Sequence, residues 1–203
     1  QYREGPPDNP RFITRDSRVF RRDVVEVEFN IDGRPFTLYC CHLKSMTGGR
    51  ASTRAMRIAE VEGIRALIEK RFARHHGGPA AANWAICGDF NDYYEVDGNP
   101  DLRDYMTGED SPTSLSPLLA DGFAVNLMTR RAPEDRWTTY HAPDNLYTQL
   151  DYIFLSPRLA NANPEAVPEI IRHGQPYRAT RHDGPRFPRI GWDRPKSSDH
   201  CPV

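Results

Sequence analysis

Between Arg50 and His76 the apolar residues Val61, Ile64, Ile68 and Phe72 recur at three- and four-residue steps. That is the period of a helix with one buried face, and Gly77-Gly78-Pro79 is expected to end it. The other apolar residues gather mainly in short runs rich in β-branched and aromatic side chains, the mark of strands. A single long helix set among strands points to α+β layers rather than a regular βαβ chain.

Val24 to Phe29 and Phe36 to Leu43 flank Asp32-Gly33, a tight-turn signal, and predict an antiparallel hairpin. Trp84-Ala85-Ile86-Cys87, Thr138-Thr139-Tyr140 and Leu150 to Leu155 read as further strands, and Leu115 to Phe123 as a short helix. Residues 1–17 and most of 92–117 read as loop, and the prolines from Pro157 onward predict long connections. The 203 residues suffice for one domain, taken as 1–203, with a substantial core. Gln1 opens the chain without a signal-peptide pattern, and Cys201-Pro202-Val203 resembles the opening of a strand. The expectation is therefore a portion of a longer protein.

Net charge is −1, so attraction to a polyanion must come from a local patch. Seven Lys/Arg against three Glu lie from Arg50 to Arg74, a distribution expected of a solvated helix face. Arg178, Arg181, Arg186 and Arg189, interleaved with Tyr177 and Phe187, suit either a nucleic-acid-binding loop or solvated surface. No run approaches the roughly 20 apolar residues of a membrane span. Cys40, Cys41, Cys87 and Cys201 lack zinc-site spacing. As free thiols they favour a reducing, cytoplasmic compartment.

Four segments each put a polar group at the end of an apolar run. His42 ends the run from Phe36 to Cys41, where an isolated histidine is usually structural. Gly88-Asp89-Phe90-Asn91-Asp92 leaves a strand; Asp89 and Asn91 suit a cation, a water or a phosphate oxygen, or a simple Asx-turn. Asp151 shares a strand face with Ile153 and Leu155, so its carboxylate needs a partner, either a backbone N–H, an arginine or a histidine. Asp199 and His200 are adjacent and in extended chain face opposite ways.

In this order, His-Leu-Lys-Ser, Gly-Asp-Phe-Asn-Asp, Leu-Asp-Tyr-Ile-Phe-Leu-Ser and Ser-Asp-His-Cys-Pro-Val resemble the motif series of the endonuclease/exonuclease/phosphatase superfamily, from about Phe20 to Val203. The resemblance implies a DNase-I-like two-sheet β-sandwich flanked by helices, with the site where strand ends converge. It implies Mg²⁺ or Mn²⁺ and a phosphate-ester substrate, DNA or RNA foremost. A phosphatase or a sphingomyelinase-like lipid phosphodiesterase shares the same motifs, and a non-catalytic binding module keeps the same fold. By motif, His200 resembles the histidine that orients water or holds phosphate, and Asp151 the carboxylate that fixes its tautomer. Asp89 resembles the carboxylate that aligns the nucleophile, and Asn91 the amide on a phosphate oxygen. Asp199, with Asp89 and Asn91, resembles the metal-binding group, and His42 the second, phosphate-contacting histidine. The family also carries an Asn and a metal-binding Glu in an earlier half, which nothing before Phe20 resembles. Glu4, in a Pro/Gly-rich stretch, is not a substitute. The chain alone is accordingly expected to bind metal weakly and to be poorly active.

Overall fold

The computed structural model describes residues 19–94 and 113–203 in full, and residues 2–4 and 11–13 by backbone alone. The Asp32-Gly33 turn joins β3 (Val25–Ile31) to β4 (Arg34–His42), and both turn residues take positive φ. These residue types tolerate that conformation, and it matches the twist of the hairpin strands. β4 pairs in parallel with β5 (Trp84–Asp89), which pairs antiparallel with β9 (Asp151–Leu155); β9 pairs in turn with β6 (Val125–Asn126). The result is a five-stranded mixed sheet of order β3-β4-β5-β9-β6. A parallel step needs a crossover, and α1 (Arg50–Arg71) supplies it between β4 and β5.

Alternation along the strands decides what covers the sheet. Tyr39, Cys41, Trp84, Ile86, Tyr152 and Phe154 point to one side and pack with Val61, Ile64 and Ile68 of α1. Each such side chain, fully buried, contributes about 1.5–3 kcal/mol of transfer free energy. Phe36, Leu38, Val125 and Ile153 lie on the opposite side, against Leu159 and Ala160 of α3 (Pro157–Ala162). The edge strand β3 leaves Val25, Phe29 and Ile31 exposed. α1 stops at Phe72 rather than at Gly77. Residues 73–77 are all exposed, so no packing holds another turn in place.

Two further pairs of strands complete the described structure. β7 (Thr139–His141) and β8 (Leu146–Thr148) form a small antiparallel sheet, extended by a bridge from Thr139 to His200. β1 (Tyr2–Glu4) pairs with β2 (Arg11–Ile13), although residues 1–17 read as loop. Strands of three residues are too short to show a period. The same holds for β6 and β8. The helix expected over Leu115 to Phe123 is α2 (Ser116–Leu119), followed by a 3-10 turn at Ala120–Gly122. α3 starts at Pro157, read as loop: Ser156 accepts from the Leu159 N–H at 3.2 Å, and proline suits the first helical position. Most of the loop expected over 92–117 falls outside the described residues.

Candidate active site

The sheet register brings three of the motif residues into one row. His42 on β4 is opposite Asp89 on β5, and Asp89 is opposite Asp151 on β9. Facing pairs in a sheet hold their Cβ atoms about 4.5–5.5 Å apart. All three side chains fall on the face opposite α1, at the end where β4 and β5 finish and β9 begins.

Gly88 allows the strands to approach this closely. Its φ is +144°, and a Cβ there would lie 1.9 Å from the Cys41 carbonyl oxygen. The sharp turn out of the strand comes at Asn91, whose φ is +50°. Asp89 Oδ1 accepts the Asn91 backbone N–H at 2.8 Å, which is an Asx-turn. The Asn91 amide nitrogen donates to Asp89 Oδ2 at 2.9 Å and to the Leu43 carbonyl at 3.1 Å. Both of its N–H groups therefore face protein acceptors, and its oxygen is the group left for a ligand.

His200 arrives from the far end of the chain. Cys201 N–H donates to the Thr138 carbonyl at 2.7 Å, and Tyr140 N–H to the Asp199 carbonyl at 3.3 Å. These bonds hold the segment on β7. His200 Nδ1 lies 2.9 Å from Asp151 Oδ2 and 3.2 Å from Oδ1. Of the partners that its apolar strand face left open, Asp151 thus has a histidine. His200 Nε2 is 3.9 Å from Asp89 Oδ2, and His42 Nε2 is 3.3 Å from the same oxygen. Asp199 is exposed and lines the same cleft as His200.

The electrostatics follow from this crowding. The hydrogen bond to Asp151 raises the His200 pKa, against the opposing effect of partial burial. Burial raises the Asp89 pKa, and the Asp151 charge raises it further. Two carboxylates beside each other favour a proton or a cation between them. Asp89, Asp151 and His200 offer ligand atoms within 4.8 Å of one another. That donor set, two hard oxygens and an imidazole, fits a small divalent cation that keeps several waters. Of the three metal ligands expected from sequence, Asp89 belongs to this group, and Asn91 is hydrogen-bonded to it at 2.9 Å.

A buried charge cluster beneath the site was not anticipated. Arg50 and Arg57 were counted on a solvated helix face, yet both are buried. Arg50 Nε donates to Asp92 Oδ1 at 2.6 Å, and Arg57 Nε lies 3.6 Å from Asp92 Oδ2. Asp92 Oδ2 also accepts from Ser114 N and Oγ, at 2.8 and 2.5 Å. A signal was available, because Arg50, Arg57 and Ile64 are spaced by seven and share one helix face. Glu60, on the same helix, accepts the backbone N–H groups of Lys44 at 2.7 Å and Arg21 at 3.1 Å. It anchors the chain just past His42.

The model of the Endonuclease/Exonuclease/phosphatase family matches residues 7–200. A search of curated proteins gave no match. Among solved structures, the human Nocturnin catalytic domain with bound sulfate is similar at 20% identity, over 64% of this chain and 39% of that one, with a TM-score of 0.41. Sphingomyelinase C from Streptomyces griseocarneus is similar at 18% identity, over 65% and 41%, with a TM-score of 0.42. The AP endonuclease LMAP from Leishmania major is similar at 15% identity, over 68% and 47%, with a TM-score of 0.47. The chain spans less than half the length of each of these three. Its five-stranded mixed sheet, two small two-stranded sheets and helices make an α+β arrangement of the DNase-I-like kind. With the family model matched over nearly its whole length, the chain belongs to the endonuclease/exonuclease/phosphatase family.

Proposed function

We propose that the chain carries the catalytic residues of a divalent-cation-dependent phosphodiesterase acting on nucleic acid. The observation that carries this reading is the convergence of His200, braced by Asp151, on Asp89, with His42 on the other side of the same carboxylate. A phosphodiester is an anion attacked by an electron-rich water. Its site must cancel charge on the nonbridging oxygens, supply hydroxide and protonate the departing oxygen.

Each residue suits one of these tasks. Asp151 accepts the proton-bearing Nδ1 of His200, which leaves Nε2 to orient water or hold a phosphate oxygen. Asp89 sits between the two histidines and aligns the attacking water. His42, at the more exposed edge, protonates the leaving oxygen. Asn91 presents its amide oxygen from a loop locked by two hydrogen bonds. Mg²⁺ or Mn²⁺ held by Asp89, with Asp199 or Asp151 beside it, would supply Lewis-acid stabilisation of the phosphate.

The test is hydrolysis of plasmid DNA, of RNA and of bis(p-nitrophenyl) phosphate, with and without added Mg²⁺ or Mn²⁺. His200→Ala is expected to lower the rate by about 10²–10⁴-fold, the range for loss of a positioned acid–base group. Metal-independent hydrolysis, or an undiminished rate in that variant, would remove the assignment. Cleavage of phosphomonoesters or sphingomyelin in place of nucleic acid would move the chain to the phosphatase or lipid branch.

A further inference from the structure

A cleft of about 1410 Å³ runs outward from Asp199 and His200. The β7–β8 hairpin and Tyr93 line it, and Trp192 lies on its wall. It exceeds what a phosphate needs, since whole drug-sized ligands occupy roughly 300–1,000 Å³. Trp192 is 65% exposed, whereas Trp84 and Trp137 are 0% and 4% exposed. Leaving a large indole in water forgoes much apolar burial.

The segment around Trp192 is tied down. The Arg178 N–H donates to the Trp192 carbonyl at 2.8 Å, and the Tyr177 N–H to the Gly191 carbonyl at 3.1 Å. The Gly191 N–H donates to the Pro195 carbonyl at 2.9 Å. A Cβ on Gly191 would lie 2.1 Å from the Arg194 carbonyl oxygen, so the turn accepts no side chain there. The backbone that carries the ring is thus fixed at the edge of the cleft.

The charges in the cleft sort into spent and unspent groups. Asp144 pairs with His141 at 2.9 Å, and Asp193 with Arg178 at 3.3 Å. Arg194 and Lys196 line the same cleft and form no ion pair among the described residues. The basic stretch expected from sequence is mostly committed elsewhere. Arg181 lies over the Tyr147 ring at 4.4 Å, and Arg186 donates to the carbonyls of His182, Gly184 and Gln175 at 2.7 to 3.1 Å.

From these observations we infer that Trp192 is a stacking platform for a base flanking the scissile phosphate, with Arg194 and Lys196 meeting neighbouring phosphates. The substrate class is then a single-stranded or locally unstacked polynucleotide. This deepens the phosphodiesterase reading and rests on it. An aromatic face accepts any base, and cations follow the backbone without reading sequence. A bilayer anchor would need an apolar protrusion, whereas Trp192 lines a concave cleft beside two cations.

Binding of a fluorescein-labelled oligothymidylate, read by anisotropy in EDTA, tests the inference apart from catalysis. Trp192→Ala is expected to weaken binding by about 5- to 100-fold, the range for one stacked base. Trp192→Phe, which keeps a ring, should recover most of that loss. Replacing Arg194 and Lys196 together by Ala should lower the salt slope by about 1.4, for two phosphates of a single strand. Near-equal affinities of wild type, Trp192→Ala and Trp192→Phe would overturn the inference, as would no binding by the wild type. It would also fall if Trp192 emission shifted to the blue with phosphatidylserine vesicles and not with oligonucleotide. If the oligonucleotide binds through Trp192 while bis(p-nitrophenyl) phosphate is untouched, the platform stands and the phosphodiesterase reading fails.

Discussion

His200 and Asp151 are 49 residues apart in sequence and share a hydrogen bond of 2.9 Å. That bond favours the imidazolium, so folding raises the His200 pKa above its ordinary value of about 6.5. The raised value fixes the sign of the linkage. The stabilisation is fully present below about pH 6.5 and is lost as pH rises through the higher folded value. Asp151→Asn removes the charge and keeps the shape. A proton NMR titration of the His200 ring, without added metal, should then show its midpoint fall toward that of free histidine. An unmoved midpoint would mean that the pair contributes no electrostatic bias. The apolar strand face called for some donor to Asp151, and the family resemblance made that donor His200. The sequence did not anticipate that Asn91 would use both amide hydrogens on protein acceptors, because that depends on the positive φ at the end of the motif. It assigned a cation to Asp89, Asn91 and Asp199, and did not foresee that Asp89, Asp151 and His200 would offer ligand atoms within 4.8 Å of one another. Register between strands distant in sequence decides that.

At the scale of elements, the hairpin, α1 and the strands carrying the motifs were legible because each has a period or a turn signal. The buried face of α1 was read from its apolar members alone, which left Arg50, Arg57 and Glu60 on the wrong side. Asp92 is fully buried between the two arginines and also holds the backbone at Ser114. Asp92→Ala would leave buried guanidinium charge without its carboxylate. The expected loss is about 3–5 kcal/mol of folding stability, measurable by urea denaturation. The loop carrying Asn91 should loosen as well, because Asp92 follows it directly. A variant as stable as the wild type would show the cluster to be neutral in net effect. Glu60 works differently. Its carboxylate accepts backbone N–H groups, and burial raises its pKa. Its charged form is therefore a cost that folding bears as pH rises through that value.

Across the whole molecule, the core lies between α1 and one face of the five-stranded sheet, and the functional row belongs to the other face. His42, Asp89 and Asp151 project from adjacent strands of that sheet, so their spacing is as stiff as the ladder that sets it. His200 has no such footing. Its segment is fastened to β7 by one bridge of two backbone bonds, and just beyond it the Ile171 N–H donates to the Pro202 carbonyl at 2.9 Å. The constellation thus pairs a fixed anvil with a latch, and the two need not open together. Amide hydrogen exchange should find the protons of β5 and β9 among the slowest in the chain, and those of residues 199–201 appreciably faster. In mild denaturant the latch should release His200 while the sheet stays closed, so the elevated imidazole titration would vanish before the helical circular dichroism does.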